Sequence, residues 1–149
     1  TFDMVAAVEL LEHMKDDEKV LGEFSRVLKK GGFLFLTVPA YQFLWTEHDD
    51  ALGHQRRYTL GGLRDKLQRS GFAVEKGTYM VFFTSPLFLY RLFKKIFRRN
   101  KRKPETSYVK IPDFLNKVLV LPFFLEARIV QIGRLPFGTS IVLVARRAR

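Results

Sequence analysis

The sequence predicts an α/β fold built on a mostly parallel sheet. Two short apolar runs carry that prediction, Phe2–Val8 (FDMVAAV) and Phe33–Val38 (FLFLTV). Neither alternates with polar residues, as a strand buried on both faces need not. Between them lies a helical pattern, and strand–helix–strand units of this size are normally parallel with a right-handed crossover. A third apolar run, Ser140–Ala145 (SIVLVA), closes the chain.

The elements follow in order. Asp16, Asp17 and Glu18 place acid at a helix start, where the helix dipole favours it. Val20, Leu21, Phe24, Val27 and Leu28 then share one helical face. Lys29, Lys30 and Gly31 carry C-terminal signals. Pro39 stops the second strand, and residues 39–58 are expected to form a long loop. Thr59 can cap a helix running to about Ser70, with Leu60, Leu63 and Leu67 on one side and Gly71 ending it. A more polar third strand is expected from Phe72 to about Tyr79. A basic helix from Pro86 to about Arg99, a charged linker at Lys101–Lys110 and an apolar helix at Asp113–Ile132 come next. Pro136, Phe137 and Gly138 form a turn before the last strand.

Composition sets bounds. The 149 residues suffice for one ordinary domain. With 47% hydrophobic and 28% charged residues, the chain is globular in balance. It has no cysteine, so disulfides, thiolate metal sites and cysteine nucleophiles are excluded. Its histidines, His13, His48 and His54, are scattered, and no metal site is expected. No apolar run suits a spanning helix, and the first residues lack the basic flank of a secretory signal. The expected location is cytoplasmic, with peripheral contact on the inner face of the membrane.

The net charge of +11 is uneven. Residues 1–75 hold 10 Lys+Arg against 12 Asp+Glu, and residues 76–149 hold 16 against 3. A near-neutral half joined to a basic surface element accounts for this better than a uniformly basic nucleic-acid binder. No nucleic-acid motif is present, and no nucleic-acid partner is expected.

The stretch from Phe2-Asp3 to Glu9-Leu10-Leu11-Glu12-His13, then Leu28-Lys29-Lys30-Gly31-Gly32 and Leu36-Thr37-Val38-Pro39, resembles the class I S-adenosylmethionine-dependent methyltransferases. Arg57-Tyr58-Thr59, Ser70-Gly71-Phe72 and Leu135–Ser140 resemble one bacterial and archaeal branch of it. Lys30 stands where that family commonly has proline. The resemblance implies a partial Rossmann-like methyltransferase sheet, strands 4-5-7-6 of the family order, with helices on its faces. The last strand would then lie antiparallel between the second and third. It also implies that residues 1–149 are the C-terminal part of the domain, with a basic helical insertion at about 84–133. The family binds its cofactor through a glycine-rich turn after its first strand, and no GxGxG pattern occurs here. A both-faces-buried first strand also asks for neighbours on two sides. A missing N-terminal half of the same domain is therefore expected, and the chain alone is expected to be inactive.

The implied cofactor is S-adenosyl-L-methionine. In an open parallel sheet, ligands lie beyond the carboxyl ends of the strands. By resemblance, Glu9, Leu10 and His13 are the cofactor-side residues. In the 39–58 loop, Tyr41 and Trp45 can wall an acceptor pocket, with Tyr58 at its end. His48 and His54 can accept protons near neutral pH, and Arg56 and Arg57 can hold an anionic acceptor. The expected function is methyl transfer to a small-molecule or lipid-like acceptor. The competing reading is a non-catalytic membrane-surface module with a degenerate Rossmann half.

The membrane expectation rests on residues 86–103. At roughly 100° per residue, Phe88, Leu89, Leu92, Phe93, Ile96 and Phe97 share one half of a helical wheel. Arg91, Lys94, Lys95, Arg98, Arg99 and Arg102 share the other. Such a helix can lie in the headgroup plane, each basic residue adding about 1 kcal/mol near an anionic surface. Vesicle co-sedimentation is expected to show binding that depends on anionic lipid. Equally negligible binding with and without it would leave this face a solvated surface.

Overall fold

The computed structural model describes residues 1–83 and 113–148, with the backbone alone for 113–119. A four-stranded mixed sheet forms the frame. Its strands are β1 (Phe2–Val8), β2 (Leu28–Pro39), β3 (Phe72–Met80) and β4 (Ser140–Arg147). Their order across the sheet is β1-β2-β4-β3. β1 and β2 are parallel neighbours, Met4 to Val8 lying opposite Phe33 to Thr37. β4 runs antiparallel to both β2 and β3, with Leu143 facing Leu36 on one side and Gly77 on the other. This is the strand order implied by the resemblance, with the last strand inserted where expected.

The helices are α1 (Asp17–Val27), α2 (Glu47–Leu52), α3 (Leu60–Arg69) and α4 (Asp113–Ile132). Asp16 caps α1 by accepting the Lys19 amide, and Thr59 caps α3 by accepting the Gly62 amide. The core lies where α1 and α3 meet the sheet. Leu21, Leu28, Leu34, Leu36, Leu63, Leu67, Ile141 and Leu143 are all fully buried there. A buried leucine or isoleucine contributes about 1.5–3 kcal/mol, so this cluster dominates the stability of the sheet–helix sandwich.

Three expectations change. β1 is not buried on both faces. It pairs only with β2, and Phe2, Met4 and Val8 are 57–60% exposed, because among the described residues no strand or helix covers its outer flank. The second strand begins at Leu28 rather than Phe33. Residues 29–32 form an irregular excursion within it, opposite Asp3. Gly31 allows this by taking φ +76°, which is costly for any residue with a Cβ. Residues 39–58 are not simply a loop, since they contain a single turn at Gln42–Leu44 and the short α2.

α4 joins the sheet through its second half. The buried Glu126 carboxylate accepts the backbone amides of Val81 and Phe82, the latter at 2.9 Å. The Lys76 ammonium donates to the carbonyls of Val130 and Gln131 near the end of α4, where a cation complements the helix dipole. Leu121, Phe124 and Leu125 remain well exposed. Gly138 then passes so close to Met80 that an added Cβ would meet its carbonyl oxygen at 2.0 Å. The expected basic helix from Pro86 to Arg99 and the linker at 101–110 lie outside the described residues. Among the described residues, no helix is long and apolar enough to cross a membrane.

A buried carboxylate ties the two core helices together. Asp17 accepts from Lys66 of α3 at 2.8 Å and from the Tyr58 hydroxyl at 2.9 Å, and Arg56 lies 3.2 Å away. Burial alone would raise its pKa, but Lys66, Tyr58 and Arg56 together hold it below the ordinary 3.8. The folded state therefore favours the ionised form. That stabilisation is complete above the unfolded value and is lost as pH falls through the lower folded one. Asp17→Asn is expected to cost roughly 1–3 kcal/mol, between the ranges for exposed and buried pairs. Urea unfolding at pH 7 checks the loss. The difference from the parent should shrink as the pH falls below 3.8.

Candidate functional site

The carboxyl ends of β1 and β2 open onto one cavity of about 270 Å³. It is lined by Glu9, His13, Pro39, His48, Leu52, His54, Arg57, Thr139 and Ser140. Its position is the one where open α/β sheets bind ligands.

The first wall is the turn after β1. Glu9 leaves the strand at φ +48°, an unusual conformation for a non-glycine residue and one concentrated at functional sites. Its amide is held by both the carbonyl and the hydroxyl oxygen of Thr37, each at 3.1 Å. The chain then coils into a single helical turn at Leu11–His13. That turn buries Leu11 and Glu12 and leaves Leu10 outside. Glu12 is fully buried, yet neither carboxylate oxygen has a hydrogen-bond partner. Burial raises its pKa to about 7, with the neighbouring Glu9 carboxylate adding to the effect and Arg57 opposing it.

The second wall is organised by Asp49. Its carboxylate takes two hydrogen bonds from Arg57, at 2.8 and 2.9 Å. It also accepts the Thr46 amide at 2.8 Å and hydroxyl at 3.0 Å, which closes the first turn of α2. Nδ1 of His54 lies 2.9 Å from its other oxygen. Burial pushes the Asp49 carboxyl up, but Arg57, Thr46 and His54 outweigh it and hold the value at about 2. An ionised carboxylate can only accept, so Nδ1 of His54 carries a proton and donates it to Asp49. Gln55 donates its amide to the Glu12 carbonyl at 2.6 Å, and the His13 and His54 rings meet edge to face at 4.8 Å. The two walls are thus joined.

The remaining sequence candidates separate. Glu9, His13, His48, His54 and Arg57 line the cavity. Arg57 does so with its charge paired to Asp49. Tyr58 is buried and donates its hydroxyl to Asp17, which leaves the phenol in the core rather than on the cavity wall. Arg56 reaches the Lys15 carbonyl and Asp17. Tyr41 stacks between Tyr79 and Phe137, at 5.0 and 5.1 Å, and burial beside Tyr79 raises its pKa. The Trp45 indole donates to Asp50 at 2.9 Å. None of these four lines that cavity. Asp49 and Glu12 are the residues that sequence reasoning passed over. The Thr46–Asp49 spacing, a capping pattern, was the available signal for Asp49.

Residues 1–36 match the family described as methyltransferase domain. No curated protein matches the chain. Solved structures share its fold. A phosphoethanolamine N-methyltransferase from Haemonchus contortus, in complex with S-adenosylmethionine, is 18% identical with a TM-score of 0.55, covering 99% of this chain and 34% of that one. An S-adenosylmethionine-dependent methyltransferase from Thermotoga maritima is 18% identical at 0.57, covering 99% and 56%. Another from Mesorhizobium loti is 14% identical at 0.54, covering 98% and 62%. The chain therefore spans about a third to three-fifths of the length of these relatives. Over that span it shares the Rossmann-like fold of these methyltransferases, and β1, the turn after it, α1 and most of β2 lie within the segment matched in sequence.

The Asp49 cluster should be costly to break. Asp49→Ala removes the carboxylate that takes two hydrogen bonds from the buried Arg57 and uncaps α2, and a loss of about 3–5 kcal/mol is expected. Arg57→Ala should cost a similar amount. The double variant should cost less than the two losses added, since both remove the same two hydrogen bonds. Chemical denaturation of the three variants measures this coupling.

Proposed function

We propose that the chain works in S-adenosylmethionine-dependent methyl transfer to a small-molecule or lipid-like acceptor. One observation carries the reading. The segment matched to the methyltransferase domain contains the turn from Glu9 to His13, and that turn forms a wall of the cavity at the carboxyl end of the sheet. The residues fit one end of the cofactor. Glu9 offers an exposed carboxylate to a cationic amino group, Leu10 an open backbone, and His13 an imidazole beside them. When bound, the cofactor supplies an electrophilic methyl group on a sulfonium, so the protein's task is mainly to position the reactants.

His48 and His54 are the acceptor-side candidates for taking a proton from a neutral hydroxyl or amine. His54 is the better oriented, because Asp49 fixes its ring and leaves Nε2 as the accepting nitrogen when the ring is neutral. Arg57 lends the wall a positive edge that Asp49 already neutralises, so an uncharged acceptor group suits this side. The exposed apolar residues of α4, with Phe83 beside them, favour an acceptor with a lipid-like part. Fold by itself does not decide the chemistry. A [4+2]-cyclase, SpnF, shares this fold at a TM-score of 0.50 and 19% identity. The methyl-transfer reading therefore rests on the Glu9–His13 turn rather than on the sheet.

No GxGxG turn occurs in these 149 residues, so the chain alone is expected to bind S-adenosylmethionine weakly or not at all. Micromolar affinity in calorimetric titration would contradict that. A protein joining the chain to a segment with such a turn is expected to bind. There, His13→Ala and Glu9→Ala should each weaken binding about tenfold, the worth of one hydrogen bond to a charged group. Unchanged affinity and turnover in both variants would remove the site assignment.

A further inference from the structure

We propose that Glu12, His13 and His54 form a binding site for a divalent transition-metal ion at the inner end of the cavity. Each offers one ligand atom, and the three atoms lie within 4.8 Å of one another. An ion bound about 2.1 Å from each donor in tetrahedral geometry spaces them about 3.4 Å apart. Binding would draw the donors together by up to about 1.4 Å.

Two independent observations point to a cation, and a third holds the donors together. The Glu12 carboxylate is fully buried, both oxygens lack a hydrogen-bond donor, and the Glu9 carboxylate lies beside it. A buried group of this kind is normally paired or bound to a metal. His54 is oriented as metal-bound histidines are. Nδ1 is held by Asp49 at 2.9 Å, and Asp49 is itself fixed by Arg57. A carboxylate behind a histidine sets the tautomer and aims the other nitrogen at the metal. The two ligand-bearing segments, distant in sequence, are fastened together by the Gln55 amide on the Glu12 carbonyl. That bond acts on the backbone of both segments next to the donors.

The donor set selects the ion. Two imidazoles and one carboxylate, with no sulfur, suit zinc and its first-row neighbours rather than magnesium or calcium, which prefer all-oxygen shells. Three protein ligands leave a coordination position open, as in sites that bind exogenous ligands. Both histidines line the cavity, so the open position borders it. An oxygen-bearing small molecule is the ligand this position would take. Glu9 also lines the cavity and offers a further oxygen donor. The inference goes beyond the methyl-transfer reading and does not depend on it; with the ion bound, His54 is a ligand and His48 is left as the acceptor-side base.

The test is a Co²⁺ titration of the chelator-treated 149-residue chain, followed by visible absorption, with Zn²⁺ added in competition. One equivalent of Co²⁺ is expected to produce ligand-field bands that Zn²⁺ abolishes. Glu12→Gln and His13→Ala should weaken binding by about tenfold or more, and Asp49→Asn by about tenfold through the orientation of His54. Leu52→Ala, which alters the same cavity at a residue with no donor atom, should leave the affinity unchanged. Glu12→Gln keeps the side chain's shape and removes a buried charge, so it should stay folded by circular dichroism even where His54→Ala does not. Absence of saturable bands, or bands as strong in Glu12→Gln as in the parent, would overturn the site. Neither result depends on whether S-adenosylmethionine binds.

Discussion

The insertion of β4 between β2 and β3 is the constraint on which the rest of this structure depends. β4 comes last in sequence, yet its residues Ile141, Leu143 and Ala145 are fully buried at the centre of the sheet. It is hydrogen-bonded along both edges. Without it β2 and β3 have no contact within the sheet, and α3 would have no continuous surface to cover. The approach to β4 is therefore held tightly. Gly138 lies against the Met80 backbone, and Thr78 accepts the Leu135 amide at 2.8 Å. Those contacts also bring Thr139 and Ser140 to the cavity wall. Non-local pairing of this kind is slow to form because loop closure must precede it.

Two buried aspartates then do most of the work around the sheet's carboxyl end. Asp17 joins α1 to α3 through Lys66 and to the end of the 39–58 segment through Tyr58. Asp49 folds the middle of that segment onto itself through Thr46, His54 and Arg57. Each is surrounded by hydrogen-bond donors, among them a Lys or Arg side chain, so each buried charge is satisfied. Arg56, Arg57 and Lys66 are spent in that way, whereas Arg26, Lys29 and Arg69 pair with acids at the surface.

Glu12 stands apart from this pattern. It is the third buried carboxylate of the region and the one without a hydrogen-bond partner. The same low-dielectric surroundings that strengthen Asp49's bonds raise the cost of leaving Glu12 charged and alone. A buried group in that condition, facing two histidines, is chemically poised. It can hold a proton near neutrality, or it can accept a cation. Either use would operate at the wall that the Glu9–His13 turn lends to the cavity.

Local chemistry was enough to read the frame. The unalternating runs at Phe2–Val8 and Phe33–Val38, the Asp16 and Thr59 caps, and the apolar faces of α1 and α3 are all decided within a few residues. The residues of the Glu9–His13 turn carried the family resemblance without a structure. The exposure of β1 could not be read, because a strand's burial depends on what lies beside it and not on its own composition. Nor could the fates of Tyr58, Arg56 and Tyr41. An aromatic or a guanidinium has the same appearance in sequence whether it faces a ligand or a buried aspartate. The meeting of Glu12, His13 and His54 was the least legible feature. It depends on the backbone bond from Gln55 to Glu12 and on the Asp49 ion pair, and both join segments that only the folded sheet brings within hydrogen-bonding distance.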